Sequence, residues 1–235
     1  MVGWLALFGA IVYLDTTAAF QFMICQPAIA CPLYGLIVGR PEIGLFFGLT
    51  FQLLWLRSLP VGAARFYEGN LGALVATAIA VEIPQMPTGE SPLLVMAFAT
   101  FAGLIAAGLG RFLTAVVRQI LKGFANSYAN ALANESYARG RVIFGAALLF
   151  NAAAGALLAL VLYFLSLQAM DLFIGIPAHL PVSQTIVDST DWLWGGLLAA
   201  LLGGGVGIAA SRFAQRKTLA WTIGGFVIGT VLLCV

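Results

Sequence analysis

Charge is what this sequence has least of. Of its 235 residues only 9% are Asp, Glu, Lys or Arg, while 62% are hydrophobic. A soluble domain carries roughly a quarter charged residues. The shortfall excludes a water-soluble fold, because so much apolar area would have nothing to cover it. No run of Lys or Arg offers a tract for nucleic acid. Histidine occurs once, at His179, and cysteine three times, at Cys25, Cys31 and Cys234. The cysteines lie in apolar runs without metal-ligand or CxxC spacing and read as small buried hydrophobes. With no phosphate-binding glycine loop and no Ser/His/Asp set, covalent catalysis has no support. No cofactor and no metal is expected, and the chain is not expected to be an enzyme by itself. The first apolar run starts at Met1 without a basic leader region, so it reads as mature structure rather than a cleaved signal.

What is abundant is apolar sequence in runs approaching the ~20 residues that cross a bilayer. The expectation is an all-α polytopic membrane protein, a helical bundle with broken or re-entrant short helices in its N-terminal third. It forms a single integral membrane domain, 1–235. Residues 1–84 make a broken-helix, re-entrant substrate region, and residues 91–235 make supporting transmembrane helices with a cytoplasmic segment at 112–141.

Residues 2–25 are one apolar run interrupted by Asp15, either a continuous helix or two half-helices with Asp15 as an N-cap. Segments 27–39 and 42–57 follow, joined by the turn signal Gly39-Arg40-Pro41-Glu42. Thirteen helical residues reach roughly 20 Å, short of the ~30 Å hydrocarbon core, so a re-entrant hairpin fits better than two crossings. Residues 71–84 make another helix. Residues 92–112 are a span whose helix continues to about 138 in a polar, Ala/Asn-rich stretch outside the lipid. A second span covers 142–168, a loop 169–191, a third span 192–211, and a last apolar helix 218–235. Five bases lie between 111 and 141 and three between 212 and 217. The positive-inside rule puts those two segments in the cytoplasm and the base-free loops 82–90 and 169–191 outside. Small-residue pairs (Gly103 with Ala107, Gly203 with Gly207, Gly225 with Gly229) allow close helix approach.

Polar residues at membrane depth are costly and usually line a bundle interior or a pathway. Tyr13 to Asn70 holds most of them, and Pro27, Pro32, Pro41 and Pro60 break it. Asp15 reads as a substrate-hydroxyl acceptor or ion partner, or else as a helix cap or a partner of Arg57 or Arg65. Gln52 offers two donors and an acceptor, which suit a sugar hydroxyl pair, or else an interhelical hydrogen bond. Glu68 and Asn70 hold hydroxyls or cap the 71–84 helix. Gln21 and Gln26 are weaker candidates. Arg57 and Arg65 read as interface anchors, Asn151 as packing glue, and His179 as a solvated loop residue.

The pattern Leu14-Asp15, Phe20-Gln21-Phe22, Pro27, Pro32, Gly35, Gly39, Gly44, Gly48, Leu53-Leu54-Trp55-Leu56 and Leu59-Pro60-Val61-Gly62-Ala63-Ala64 resembles the IIC membrane subunit of the mannose/sorbose family of bacterial phosphotransferase systems. The resemblance is close over about residues 10–80. It implies a sugar-translocating, multi-pass subunit of the bacterial inner membrane, serving phosphoenolpyruvate-dependent uptake. It further implies a IID membrane partner, oligomers of IIC–IID pairs, and soluble IIA and IIB components that carry the phosphoryl group, with none on IIC. The substrate site it implies lies among the polar residues of the broken helices: Asp15, Gln21, Gln52, Glu68 and Asn70. Gln52 stands where many relatives have Glu, and Gln26 where an Arg often precedes the proline. The residues alone leave two other readings open, an ion-coupled secondary transporter using Asp15 and Glu68, and a IIC-like scaffold or regulator without transport.

Overall fold

The computed structural model of the chain describes residues 1–19, 21–55, 68–82 and 92–178. Among these are six helices: α1 Val2–Thr17, α2 Pro27–Ile37, α3 Pro41–Trp55, α4 Gly69–Glu82, α5 Pro92–Ala133 and α6 Tyr137–Ala178. Arg57, Arg65, the Leu59–Ala64 loop, most of the 82–90 loop, His179, the span at 192–211, the helix at 218–235, Cys234 and the two C-terminal glycine pairs lie outside the described residues.

Three prolines punctuate the chain as their chemistry requires, whereas Pro32, expected to break it, lies inside α2. Pro27, Pro41 and Pro92 each open a helix, where the missing N–H is one of the unpaired donors of the first turn anyway. The α2–α3 turn closes through a Schellman motif. Gly39 takes a φ of +82°, the Arg40 N–H donates to the Gly35 carbonyl, and the Gly39 N–H donates to that of Leu36. Glycine is required again where α2 meets α3, since a Cβ on Gly44 would collide with the Cys31 carbonyl. The hairpin of two short helices therefore sits where the turn signal and the prolines put it. Its surface ion pair, Arg40 to Glu42 at 3.8 Å, is exposed at both ends and contributes little.

α4 is the centre of the described fold. Every residue from Leu71 to Val81 is buried, as expected of a helix that is apolar all round. It packs on α5, α3, α2, α1 and α6. Small residues permit this: Gly72 lies against the Gly103 carbonyl and the Ala107 Cβ, so the small pair on α5 is used as a close helix contact. The apolar core around α4 includes Tyr34, Phe47, Phe51, Leu74 and Ile79. α1 lies along α6, and Gly9 and Gly155 face each other, the Gly9 Cβ position being 2.9 Å from the Gly155 carbonyl.

α5 and α6 contain 42 residues each, about 63 Å of helix and twice the thickness of a hydrocarbon core. Met96–Ala133 and Tyr137–Ala169 are long and apolar enough to cross a membrane. Three sequence expectations change here. Helix α5 stops at Ala133 rather than near 138, because a second Schellman motif reverses the chain. Glu135 has a φ of +54°, the Ser136 N–H donates to the Ala131 carbonyl, and the Glu135 N–H donates to that of Leu132. The loop expected at 169–191 begins later, since α6 runs to Ala178; Asp171 is a lone charge in an otherwise apolar continuation. The run 2–25 is neither one helix nor two, because α1 ends at Thr17 and residues 18, 19 and 21–26 are non-helical.

Candidate functional site

Asp15 sits in the last turn of α1, not at the start of a second half-helix. Its carboxylate folds the following segment back under the helix end. Oδ1 accepts the Phe22 N–H at 2.7 Å and Oδ2 accepts the Cys25 N–H at 2.9 Å. Those bonds hold a segment in which Gln21 and Met23 adopt positive φ angles of 49° and 63°. Such a conformation costs a non-glycine residue free energy, and charge-assisted bonds to backbone N–H groups are strong enough to offset it. Asp15 is buried, and Arg57 and Arg65, the cations the sequence offered it, lie outside the described residues.

The segment delivers Gln26 to the N-terminus of α2. Gln52, on α3, donates from Nε2 to Gln26 Oε1 at 3.1 Å and accepts the Ala28 N–H on Oε1 at 3.3 Å. Gln26 makes no side-chain cap bond of its own. The cap of α2 is thus supplied from the neighbouring helix, which satisfies one of the donors a helix start leaves unpaired. The Cys25 thiol lies within hydrogen-bonding reach of both Asp15 and Thr16, and Asn70 donates from Nδ2 to Thr16 Oγ1 at 3.1 Å. Asp15, Cys25, Thr16 and Asn70 therefore form one polar group, built from the end of α1, the 21–26 turn and the start of α4. The Gln26–Gln52 pair, at the start of α2 and on α3, adjoins it through the Cys25–Gln26 peptide.

Glu68 heads a second group beside it. It occupies the N-cap of α4, its carbonyl accepting the Gly72 N–H and its own N–H donating to the Ala107 carbonyl. Its side chain is buried against Gly110. The Thr114 hydroxyl is within hydrogen-bonding reach of its carboxylate, and the Arg118 charge acts on it. Tyr13 donates from its hydroxyl to Thr114 Oγ1 at 3.1 Å. Trp55 covers the first residue of α4, where a Cβ on Gly69 would meet its ring at 2.5 Å.

Four of the five residues singled out from sequence are brought together, and one is not. Gln21 is exposed, and its backbone N–H donates to the Ala19 carbonyl. Sequence reasoning missed Tyr13, Thr16, Cys25 and Thr114. Thr16 and Cys25 adjoin residues it did select, and Tyr13 lies two positions from Asp15. Thr114 is 101 residues from Tyr13 and carries no local signal. Asn151 is the interhelical link it was expected to be, lying 3.1 Å from Thr17 Oγ1. The Thr17 hydroxyl also donates to the Tyr13 carbonyl at 2.6 Å, and one proton serves one acceptor. Turning the amide over so that Nδ2 donates to Thr17 satisfies both and gives the buried Asn151 Nδ2 a partner.

These observations define the class: an all-α membrane protein with a polar centre where short helices begin and end. The fold is similar to a solved structure titled "Structure of membrane protein", with a TM-score of 0.60, 17% identity, and coverage of 100% of this chain and 95% of that one. The family model described as the PTS system sorbose-specific IIC component matches residues 2–234, and the chain belongs to that family. It is also similar to the PTS system sorbose-specific EIIC component of Lacticaseibacillus casei, 33% identical over 61 residues. That match covers 26% of this chain and 22% of the relative.

Proposed function

We propose that the chain is the sugar-translocating IIC subunit of a phosphoenolpyruvate-dependent phosphotransferase system, and that a neutral sugar binds at the junction of α1, α3 and α4. Family membership supports the first part. The observation that carries the second is the meeting of Asp15 and Asn70 in one polar group, with the Gln26–Gln52 pair adjoining it through the Cys25–Gln26 peptide and Glu68 beside it. A neutral polyol is recognised by directional hydrogen bonds, and a site built to pair with hydroxyls rejects analogues that leave its buried polar groups unpaired. Amide side chains supply donors and acceptors without net charge. The start of α4 and the cross-capped start of α2 place helix ends in the same region, as in transporters with discontinuous helices.

In this reading the chain resides in the bacterial inner membrane, pairs with a IID subunit, and hands the sugar to a IIB protein that phosphorylates it with a group received from IIA. The chain itself is not the phosphoryl-transferring enzyme. Sorbose, named in the relatives, is the first substrate to test. Cells carrying the full system should accumulate sugar phosphate only when phosphoenolpyruvate and all soluble components are present. Uptake of unmodified sugar driven by a proton gradient would overturn the proposal in favour of an ion-coupled carrier.

A further inference from the structure

Glu68 is held to α5 at successive levels of one helix face. Its N–H donates to the Ala107 carbonyl at 3.1 Å. A Cβ on Gly110 would lie 2.7 Å from the Glu68 Cβ, so glycine at 110 gives the side chain its room. The carboxylate is within hydrogen-bonding reach of the Thr114 hydroxyl. Residues 107, 110 and 114 follow the spacing of one side of a helix. Ser, Thr, Asp and Asn are the residues whose own side chains cap a helix start. Glutamate is longer, and at the start of α4 this one runs along α5 instead.

Thr114 is used differently from other described helical threonines. The hydroxyls of Thr16, Thr17, Thr50, Thr77 and Thr100 donate to the carbonyl four residues earlier, a bond that needs no tertiary partner. The Thr114 oxygen instead meets the Tyr13 hydroxyl at 3.1 Å, with both residues buried. A carboxylate only accepts, and each hydroxyl has one proton. The Thr114 proton therefore goes to Glu68, and the Thr114 oxygen accepts the proton of Tyr13. Tyr13 is held from behind, since its Cβ fills the space that a side chain at Gly155 would occupy. Valine and phenylalanine would fill the same volumes, so packing alone does not call for these two hydroxyls.

We infer that Thr114, backed by Tyr13, is a positioning residue for sugar specificity, fixing the Glu68 carboxylate as the acceptor for one particular sugar hydroxyl. This rests on the function proposed above and adds which residues, away from the sugar, set its selectivity. A carboxylate has about four acceptor sites, so the bond from Thr114 leaves others for a ligand. An analogue lacking the matching hydroxyl leaves a buried acceptor unpaired. That penalty is full only while the carboxylate is held in place.

The test uses the full chain with its IID partner in lipid nanodiscs. The probe is the tightest-bound sugar of a hexose and hexulose panel that includes sorbose, together with its monodeoxy analogues, read by calorimetry. In the unchanged complex each analogue should bind more weakly than the parent sugar. Glu68→Gln should shrink that penalty about fivefold for one analogue, which identifies the hydroxyl Glu68 accepts. Thr114→Val should weaken the parent sugar about tenfold and shrink the penalty for that same analogue alone. Thr114→Ser should restore both. Tyr13→Phe should shift the same analogue in the same direction by less. Equal weakening of the parent and every analogue by Thr114→Val marks a purely structural role and overturns the inference, as does unchanged affinity. If the valine variant does not fold, Tyr13→Phe decides, and an analogue profile like that of the unchanged complex overturns the inference. Penalties that all survive Glu68→Gln overturn it too and remove Glu68 from the site, while the rest of the proposed function stands. A complex that binds no sugar of the panel overturns the function and the inference together.

Discussion

Asp15 shows how one side chain makes a local conformation that the backbone resists. Gln21 and Met23 are left-handed, and the Asp15 carboxylate gives their segment two charge-assisted bonds. Asp15→Asn keeps the shape but turns an amide N–H toward a donor. It should destabilise the protein by about 2 kcal/mol, read as a lower melting temperature in detergent, with sugar binding weakened because Gln26 is no longer held toward Gln52. An unchanged melting temperature would show that the turn does not depend on Asp15. Gln52→Ala removes the cap of α2, worth about 1 kcal/mol, and should reduce sugar affinity at least tenfold. Sugar binding at the original affinity would limit Gln52 to a structural role. The sequence identified Asp15, Gln52, Glu68 and Asn70 because a polar residue in an apolar run is conspicuous. It left open whether each capped a helix or faced a ligand, since that depends on which other segments arrive. The structure gives Asp15 and Gln52 capping roles, from positions that pattern alone does not reveal: one caps a segment ahead of it in the chain, the other a different helix.

At the scale of helices, small residues set the spacing. α1 reaches α6 because Gly9 and Gly155 leave room, and a Cβ at Gly155 would collide with Tyr13 and lie 2.6 Å from the Gly9 carbonyl. Gly155→Ala should therefore push α1 away from α6 and cost about 1–3 kcal/mol. The same displacement would disturb the Tyr13–Thr114 and Thr17–Asn151 links. Circular-dichroism melts of the variant in detergent measure the cost, and a melt identical to that of the unchanged chain would mean the two helices do not pack this closely. The helix ends were legible in part. Pro27 and Pro41 marked the starts of α2 and α3, and Gly39 marked the turn between them. Glu135 could not be read as a helix stop, because the left-handed conformation it adopts there is not one that Glu prefers.

For the molecule as a whole, the positive-inside rule applied to the five bases of the 111–141 stretch leads us to propose that the hairpin end is cytoplasmic. A Ser127→Cys variant should react with an impermeant thiol reagent in inverted vesicles and not in right-side-out spheroplasts; the reverse pattern would invert the topology. By itself the sequence determined that the chain is an all-α membrane protein, that its N-terminal third is broken by proline, and which residues are too polar to be indifferent. Composition and local backbone chemistry suffice for those, because they act within a few residues. Only the tertiary structure decided that α4 is wrapped on every side, and that Thr114 and Tyr13 share a hydrogen bond with Glu68 beside them. Those are relations between distant segments. They are fixed by where glycine lets helices touch and by which buried polar groups must find partners, and neither has a local signature.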